Sequence, residues 1–191
     1  MSVRLLALIP VAVAINLALS AAVDAVGLPL FLDTTGTILA TALAGPVVGI
    51  ATGALTSAVN SLRNPTFWPF VVVQVLVALY AWGAARAGWF RSLATAIPAG
   101  LVLGVLAALT STPISYLIFK CATTGGVALT TKLGQLLGLS DLGACFFGSF
   151  LSDFADKAVT FALVTTVLHA LPRRTAARFP LALRAIGRSA A

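Results

Sequence analysis

Long, uninterrupted apolar runs are the feature that most restricts the folds open to this chain. Of its 191 residues, 60% are hydrophobic and only 9% are charged, and the mean hydropathy is +1.06. A soluble domain of this size needs more charge to cover its surface. The strands of a membrane β-barrel would alternate polar and apolar residues, which these runs do not. The sequence therefore predicts an all-α integral membrane protein.

The breaks between the apolar runs divide the chain into six predicted spans. A spanning helix needs about 20 apolar residues, and the breaks contain glycine, proline or arginine. We predict one domain, a bundle of six transmembrane helices over residues 1–172, and a basic cytoplasmic tail over residues 173–191. The predicted spans are 4–23, 35–44, 46–62, 67–87, 92–119 and 144–171, with a short amphipathic helix at 129–139.

Local signals predict how some of these helices end. Pro98 and Pro113 are expected to kink or end the fifth span. The side-chain oxygen of Asp33 or Thr34 is expected to cap the second span, because it can accept a hydrogen bond from a free N–H group at the helix start.

The basic residues predict which side of the membrane each loop faces. With six spans, Arg63, Lys120 and Lys132 share one side. Most of the 12 basic residues share the other: Arg4, Arg86, Arg91, Arg173, Arg174, Arg178, Arg184 and Arg188. The positive-inside rule then places both termini in the cytoplasm of a bacterial cell, with the chain crossing its membrane several times. A five-span alternative, with residues 35–62 as one broken helix, would put the termini on opposite sides.

The sequence offers little material for a metal site or a catalytic centre. It has no glutamate, its one histidine is His169, and no cluster has metal-ligand spacing. We therefore expect no metal, no cofactor and no enzymatic activity, and we attribute the net charge of +7 to topology rather than to nucleic-acid binding. Cys121 and Cys145 can pair only if both face an oxidising compartment, and we expect two unpaired thiols.

Two stripes of small residues repeat every four positions and predict close helix packing. Gly45, Gly49 and Gly53 form one in the third span, and we expect it to pack against the protein's own helices. Ala14, Ala18 and Ala22 form the other in the first span. The alanine stripe fits contact with the protein's own helices or with another subunit, and the sequence does not decide between them.

Ionisable residues inside a span are costly and mark candidate functional sites. The last span contains Asp153, Asp156 and Lys157. Asp153 and Lys157 are four residues apart, so they share a helix face and can pair. Asp153 lies in the predicted outer half of the membrane, and we predict that Asp153 and Lys157 bind substrate. Asp156 fits a structural ion pair better.

Further polar and aromatic residues lie near the predicted outer loops. The remaining candidates for substrate binding are Asn60, Asn64, Trp68, Gln74 and Tyr116. Trp68 alone also fits an interfacial aromatic belt, and Gln74 could equally bond another helix. Because both charge signs are present, we expect a small-molecule substrate that is zwitterionic or rich in hydrogen-bonding groups.

The chain resembles the substrate-binding S components of energy-coupling factor (ECF) transporters. The resemblance covers nearly the whole chain and rests on its size and on three passages: "AINLALSAA", "LDTTGTILATALAGPVVGIATGALTSAVN" and "SDFADKAVTFALV". It implies uptake of a vitamin or related micronutrient from outside, together with a coupling subunit and two ATPases. It also implies that Ala14, Ala18 and Ala22 dock on the coupling subunit. The sequence has no GxxxxGK[ST] motif, so ATP hydrolysis would fall to the partners.

Two other functions remain open from the sequence. A self-contained secondary transporter or channel would place its site at the broken helix near Gly45-Pro46, but no inverted repeat is evident. A membrane enzyme or scaffold has less support, because the chain lacks a catalytic cluster.

Overall fold

The computed structural model describes residues 3–121 and 126–188. Within these two ranges the regular structure is helical and no strand occurs, so the prediction of an all-α fold is confirmed. Two short 3-10 segments, Pro65–Phe70 and Trp89–Arg91, precede α4 and α5. The α-helices are α1 (Val3–Val26), α2 (Thr35–Ala44), α3 (Pro46–Arg63), α4 (Val71–Arg86), α5 (Leu93–Phe119), α6 (Gly126–Leu136), α7 (Asp141–Ala170), α8 (Arg173–Ala176) and α9 (Ala182–Ala185).

Three helical segments of the described chain are long and apolar enough to cross a membrane. They are Leu5–Val26, Pro65–Arg86 and Leu93–Phe119. Helix α2 is apolar but has only 10 residues, so it extends about 15 Å. That is half of a hydrocarbon core of about 30 Å. The structure therefore supports a membrane protein, while the count of six spans stays a prediction.

The prolines of α5 do not end it. The helix continues from Leu93 to Phe119 through both Pro98 and Pro113, so the prediction that they could end the fifth span is wrong. Apolar helices tolerate proline where neighbouring helices and local adjustments satisfy the freed carbonyl groups. One long α5 can thus run the full length of α7, against which it packs.

Helices α2 and α3 form a hairpin that turns at Gly45. This glycine has a φ of +96°, a conformation that other residues rarely adopt. The Asn16 side chain of α1 donates hydrogen bonds to both Thr37 of α2 and Thr56 of α3. A continuous helix would separate those two threonines by about 28 Å. Residues 35–62 are therefore two helices folded side by side, which removes the basis of the five-span alternative.

The start of α2 is capped by a neighbouring helix rather than by its own N-cap residue. The N-cap is Thr34, whose side chain makes no capping hydrogen bond. The Gly36 N–H instead donates to Asn16 Oδ1 on α1, at 2.6 Å. The prediction that Asp33 or Thr34 caps this helix is wrong, because the cross-helix amide already occupies that position.

Gly49 and Gly53 of the glycine stripe pack inside the bundle, as predicted, whereas Gly45 forms the turn and a β-carbon there would meet nothing within 4 Å. A β-carbon at Gly49 would collide with the Thr41 side chain of α2 and would lie 3.3 Å from Ala78 Cβ of α4. A β-carbon at Gly53 would lie 2.8 Å from Gln74 Cβ, also on α4. The missing side chains therefore allow α3 to approach two helices at once.

Replacing Gly49 with leucine should prevent this approach. We expect Gly49→Leu to reduce the yield of folded monomer severalfold, because the new side chain has no space between α2 and α4. Gly83→Leu is the matched control, since Gly83 is an exposed glycine of α4 with no atom near its absent β-carbon. Size-exclusion chromatography of the two variants in detergent measures the difference. Equal yields of both variants would contradict the packing argument.

The alanine stripe of α1 faces away from the bundle. Ala14, Ala18 and Ala22 are exposed, whereas Ala12 and Asn16 on the opposite face are buried. The stripe is thus not used for packing within the described chain. The other possibility that the sequence left open, contact with another subunit, stays a prediction.

The segment after α7 folds back onto one end of the bundle. The Leu181 N–H donates to the Leu43 carbonyl at the end of α2, at 3.1 Å. Arg184 Nε donates to the Arg86 carbonyl at the end of α4, at 3.0 Å. His169, near the end of α7, has a ring nitrogen 3.0 Å from the Phe90 carbonyl oxygen. This end therefore contains Arg86 and Arg184, two of the basic residues that the positive-inside rule assigns to the cytoplasm.

Cys121 and Cys145 form a disulfide, with their Cα atoms 5.7 Å apart. The expectation of two unpaired thiols is wrong. After α5 ends, Lys120 and Cys121 both adopt positive φ values, which turns the chain back over the first turns of α7. The disulfide lies near the start of α7, and the basic tail follows the end of α7, so the two lie at opposite ends of the bundle. A disulfide persists in an oxidising compartment, so the two ends also differ in chemistry.

Candidate functional site

A cavity of about 100 Å³ lies among the helices at the disulfide end of the bundle. It has room for several water molecules or one small solute. Its lining comes from the α1–α2 loop, α3, the 3-10 segment before α4, and helices α4 to α7. The lining residues are Phe31, Asp33, Thr34, Ser57, Asn60, Thr66, Phe67, Phe70, Val73, Gln74, Ser111, Ser115, Phe119, Val127, Ser149, Asp153 and Lys157.

A pair of glycines on α5 brings the charged residues of α7 to the cavity. A β-carbon at Gly104 would lie 2.6 Å from Phe154 Cα and 2.8 Å from the Asp153 carbonyl oxygen. Gly100, one turn earlier, meets the backbone at Lys157 in the same way. This four-residue glycine spacing lets two backbones touch. It fixes α7 so that Asp153 and Lys157 face the cavity.

The buried ion pair of α7 joins Lys157 to Asp156, not to Asp153. The Lys157 side chain is 2% exposed and that of Asp156 is fully buried. The other Asp156 oxygen, Oδ1, accepts hydrogen bonds from the N–H groups of Phe31 at 2.9 Å and Leu32 at 2.7 Å. The Asp153–Lys157 pair that the helical spacing allows does not form, because the α1–α2 loop orients Asp156 toward the lysine. The structural role predicted for Asp156 agrees with these contacts.

Asp153 has a different environment. Its Oδ2 accepts a hydrogen bond from Ser111 Oγ on α5, at 3.0 Å. The side chain is buried and lines the cavity. No lysine, arginine or histidine of the described ranges lies within ion-pair distance of its carboxylate. Asp153 therefore offers the cavity a carboxylate whose charge is not neutralised by a direct ion pair.

Asp33 supplies the second such carboxylate, from the loop before α2. Gln74 Nε2 on α4 donates to the Asp33 carbonyl oxygen at 3.2 Å and lies 3.5 Å from its Oδ2. Gln74 Oε1 accepts from Thr37 Oγ1 at 3.0 Å. Burial raises the pKa of the Asp33 carboxyl to about 6, although the nearby Lys157 lowers it. Asp33 is thus mainly ionised at neutral pH.

Thr34 places an unused hydroxyl against the cavity. Its side chain is 2% exposed and lines the cavity. Its Oγ1 has no hydrogen-bond partner within the part of the chain that the structure describes. Buried polar groups are normally paired, and an unpaired one costs free energy. This hydroxyl is available to a ligand.

Four of the seven residues that the sequence predicts to bind substrate line the cavity, and three do not. Asn60, Gln74, Asp153 and Lys157 line the cavity. The structure brings the remaining three to other places. Asn64 accepts hydrogen bonds from Thr66 at the start of the 3-10 segment, Trp68 is 53% exposed, and Tyr116 lies on α5 outside the cavity lining.

Sequence reasoning missed several lining residues. The sequence predicts Asp33 and Thr34 to be helix caps, and it predicts no binding role for the serines. A signal for the serines was present: Ser111 and Ser115 are four residues apart, as are Ser149 and Asp153. Residues at this spacing share one face of a helix. Two polar faces on long apolar helices indicate a shared interior site.

Comparison with protein-family models, with curated proteins and with solved structures gives no match to this chain. The cavity and the differing chemistry of the two ends of the bundle are therefore the features that bear on function.

Proposed function

We propose that this protein is the substrate-binding subunit of a membrane importer and captures a small water-soluble nutrient, such as a vitamin, from outside the cell. The observation that carries the proposal is the cavity with its buried polar lining. Asp33, Thr34 and Asp153 present to a space inside the helix bundle two carboxylates and one hydroxyl that has no partner among the described residues. Buried polar groups of this kind are expensive in a membrane unless they serve a ligand or a pathway.

The orientation that we propose puts the cavity on the outer side. The Cys121–Cys145 disulfide favours an oxidising compartment at the cavity end. Arg86 and the basic tail lie at the other end, where the positive-inside rule favours the cytoplasm. The disulfide and the basic residues thus both support an outward-facing site, with both termini in the cytoplasm. We also propose that α1, α4, α5 and α7 span the cell membrane fully and that the α2–α3 hairpin supplies the other two of six helices.

The proposed importer is of the ECF type, in which partners supply the energy. A coupling subunit would dock on the exposed face of α1 that contains Ala14, Ala18 and Ala22. Small side chains allow close approach of another membrane helix. ATP hydrolysis would be carried out by ATPase subunits and not by this chain.

The test is gentle purification of the chain from its own host membranes, followed by native mass spectrometry. We expect a bound small molecule of defined mass, together with a retained coupling subunit and ATPases. Asp153→Ala should lose that molecule because it removes a cavity carboxylate, and Lys157→Ala because it leaves Asp156, the acceptor of the α1–α2 loop, without its ion-pair partner. If only lipid is bound in protein prepared from several growth media, or if both variants retain the ligand fully, the proposal is wrong.

A self-contained secondary transporter is the second candidate. The observation that favours it is the half-length α2 with its break at Gly45, since broken helices near the midplane form sites in such transporters. Transport by the purified chain in liposomes without ATP would favour this function. An absolute requirement for partner subunits and ATP would favour the importer.

A further inference from the structure

The charges around the cavity do not balance. Among the described residues, the charged groups that line it are Asp33, Asp153 and Lys157, and Asp156 forms an ion pair with this lysine. When all are ionised, three carboxylates face one ammonium, which gives a net charge of −2. Lys157 already contacts Asp156 directly, so its positive charge is balanced by that carboxylate. The excess negative charge belongs to Asp33 and Asp153.

The walls of the cavity suit the opposite charge. Four phenylalanines line it: Phe31, Phe67, Phe70 and Phe119. The faces of aromatic rings attract cations, and this attraction grows as water is removed. The Phe70 and Phe119 rings stack with their centroids 6.1 Å apart. The lining thus combines aromatic surface with carboxylates, which favours a flat or compact cation over an anion.

The cavity also contains polar atoms with unused hydrogen-bonding capacity. The Thr34 hydroxyl is unpaired in the described chain and can accept or donate. Asp153 accepts one hydrogen bond, from Ser111, which leaves lone pairs on both of its oxygens. A ligand with several N–H donors would satisfy these groups. Burying the carboxylates without a counter-charge would be costly.

From this arrangement, and resting on the proposed function, we infer that the cavity binds a small organic cation that carries N–H donors, with Asp153 and Asp33 as its counter-charges. A zwitterion, which the sequence favoured, fits less well because the Lys157 charge is already paired with Asp156, so the ligand's carboxylate would face the excess negative charge of Asp33 and Asp153. The ligand class is therefore narrower than the sequence indicated.

Three probes of nearly equal shape and different charge test this inference. Benzamidinium is a planar cation with N–H donors, benzamide is its neutral counterpart and benzoate is its anionic one. Isothermal titration of each into the purified full-length chain in nanodiscs gives the three affinities at one pH and ionic strength. We expect benzamidinium to bind about tenfold or more tightly than benzamide, the ratio for one weakly screened charge pair. Benzoate should not bind.

Variants identify the groups responsible. Asp153→Asn keeps the shape and removes the charge, and it should cost benzamidinium about tenfold in affinity. Asp141→Asn is the matched control, because it removes a carboxylate from an exposed position on the same helix. If Asp153→Asn proves unstable in thermal unfolding, Asp33→Asn on the adjoining loop gives the same comparison.

Each result decides for or against the cation site. Selective benzamidinium binding that weakens in Asp153→Asn or Asp33→Asn and not in Asp141→Asn supports it. Tighter binding of benzamide or benzoate, equal affinity in all variants, or no binding of any probe overturns it. The proposed function is tested separately, by native mass spectrometry. If the protein retains a nutrient that is not a cation, the importer function stands and the cation site is wrong.

Discussion

Asp156→Ala is expected to lower the free energy of unfolding by about 3–5 kcal/mol, the range for breaking a buried ion pair. The Lys157 ammonium would remain inside the bundle without its partner. The N–H groups of Phe31 and Leu32 would also lose their acceptor, so the loop that leads into the cavity should loosen. Thermal unfolding of the purified protein in detergent measures the change.

A double variant separates the two consequences of this substitution. Asp156→Ala combined with Lys157→Met removes the uncompensated charge. The N–H groups of Phe31 and Leu32 still lack their acceptor in this double variant. It should therefore recover part of the lost stability. Asp141→Ala, at an exposed position on the same helix, should unfold like the wild type. If Asp156→Ala also unfolds like the wild type, Asp156 does not have the structural role that its contacts indicate.

The helices could be predicted from the sequence because glycine, proline and polar residues mark their ends. Gly45-Pro46, the Arg63-Asn64-Pro65 turn and the turn at Gly88 interrupt apolar runs that are otherwise continuous. In such a chain a helix is the default wherever the backbone is not interrupted. The predicted second and third spans, 35–44 and 46–62, accordingly match α2 and α3 to within a residue.

The partners of individual polar residues could not be predicted in the same way. Helical spacing puts Asp153 and Lys157 on one face, but it says nothing of the loop that approaches from outside that helix. The N–H groups of Phe31 and Leu32 orient Asp156, which then attracts the lysine. Asn16 similarly caps a helix other than its own. Both outcomes depend on tertiary packing, and local spacing does not contain that information.

Site residues could be predicted where a polar residue lies within an apolar helix. In the loops the sequence did not separate cavity residues from exposed ones. Asp153, Lys157 and Gln74 are polar residues within apolar helices, and all three line the cavity. Trp68 lies in a loop region, where an aromatic residue can face either lipid or the cavity, and here it is exposed. The close approach of α5 to α7 at Gly104 decides which face of α7 points inward, and a single helix's sequence does not specify its neighbour.

Asn16→Leu is expected to lower the free energy of unfolding by about 3 kcal/mol, because one amide connects three helices. Its Oδ1 accepts from the Gly36 N–H, and its Nδ2 donates to Thr37 and Thr56. Leucine has a similar size but would leave the Gly36 N–H buried without an acceptor. Because Thr37 in turn donates to Gln74, the same change should also weaken binding at the cavity.

Two measurements on each variant separate this role of Asn16 from general damage to α1. Thermal unfolding reports the cost of the lost hydrogen bonds, and titration of benzamidinium reports whether the effect reaches Gln74 and Asp33. Ser20→Ala, a half-buried position one turn further along the same helix, should change neither. A loss of stability with unchanged affinity would mean that the hydrogen-bonded chain ends at Thr37. Wild-type values for both would mean that the Asn16 contacts contribute nothing, since leucine cannot replace any of the three hydrogen bonds.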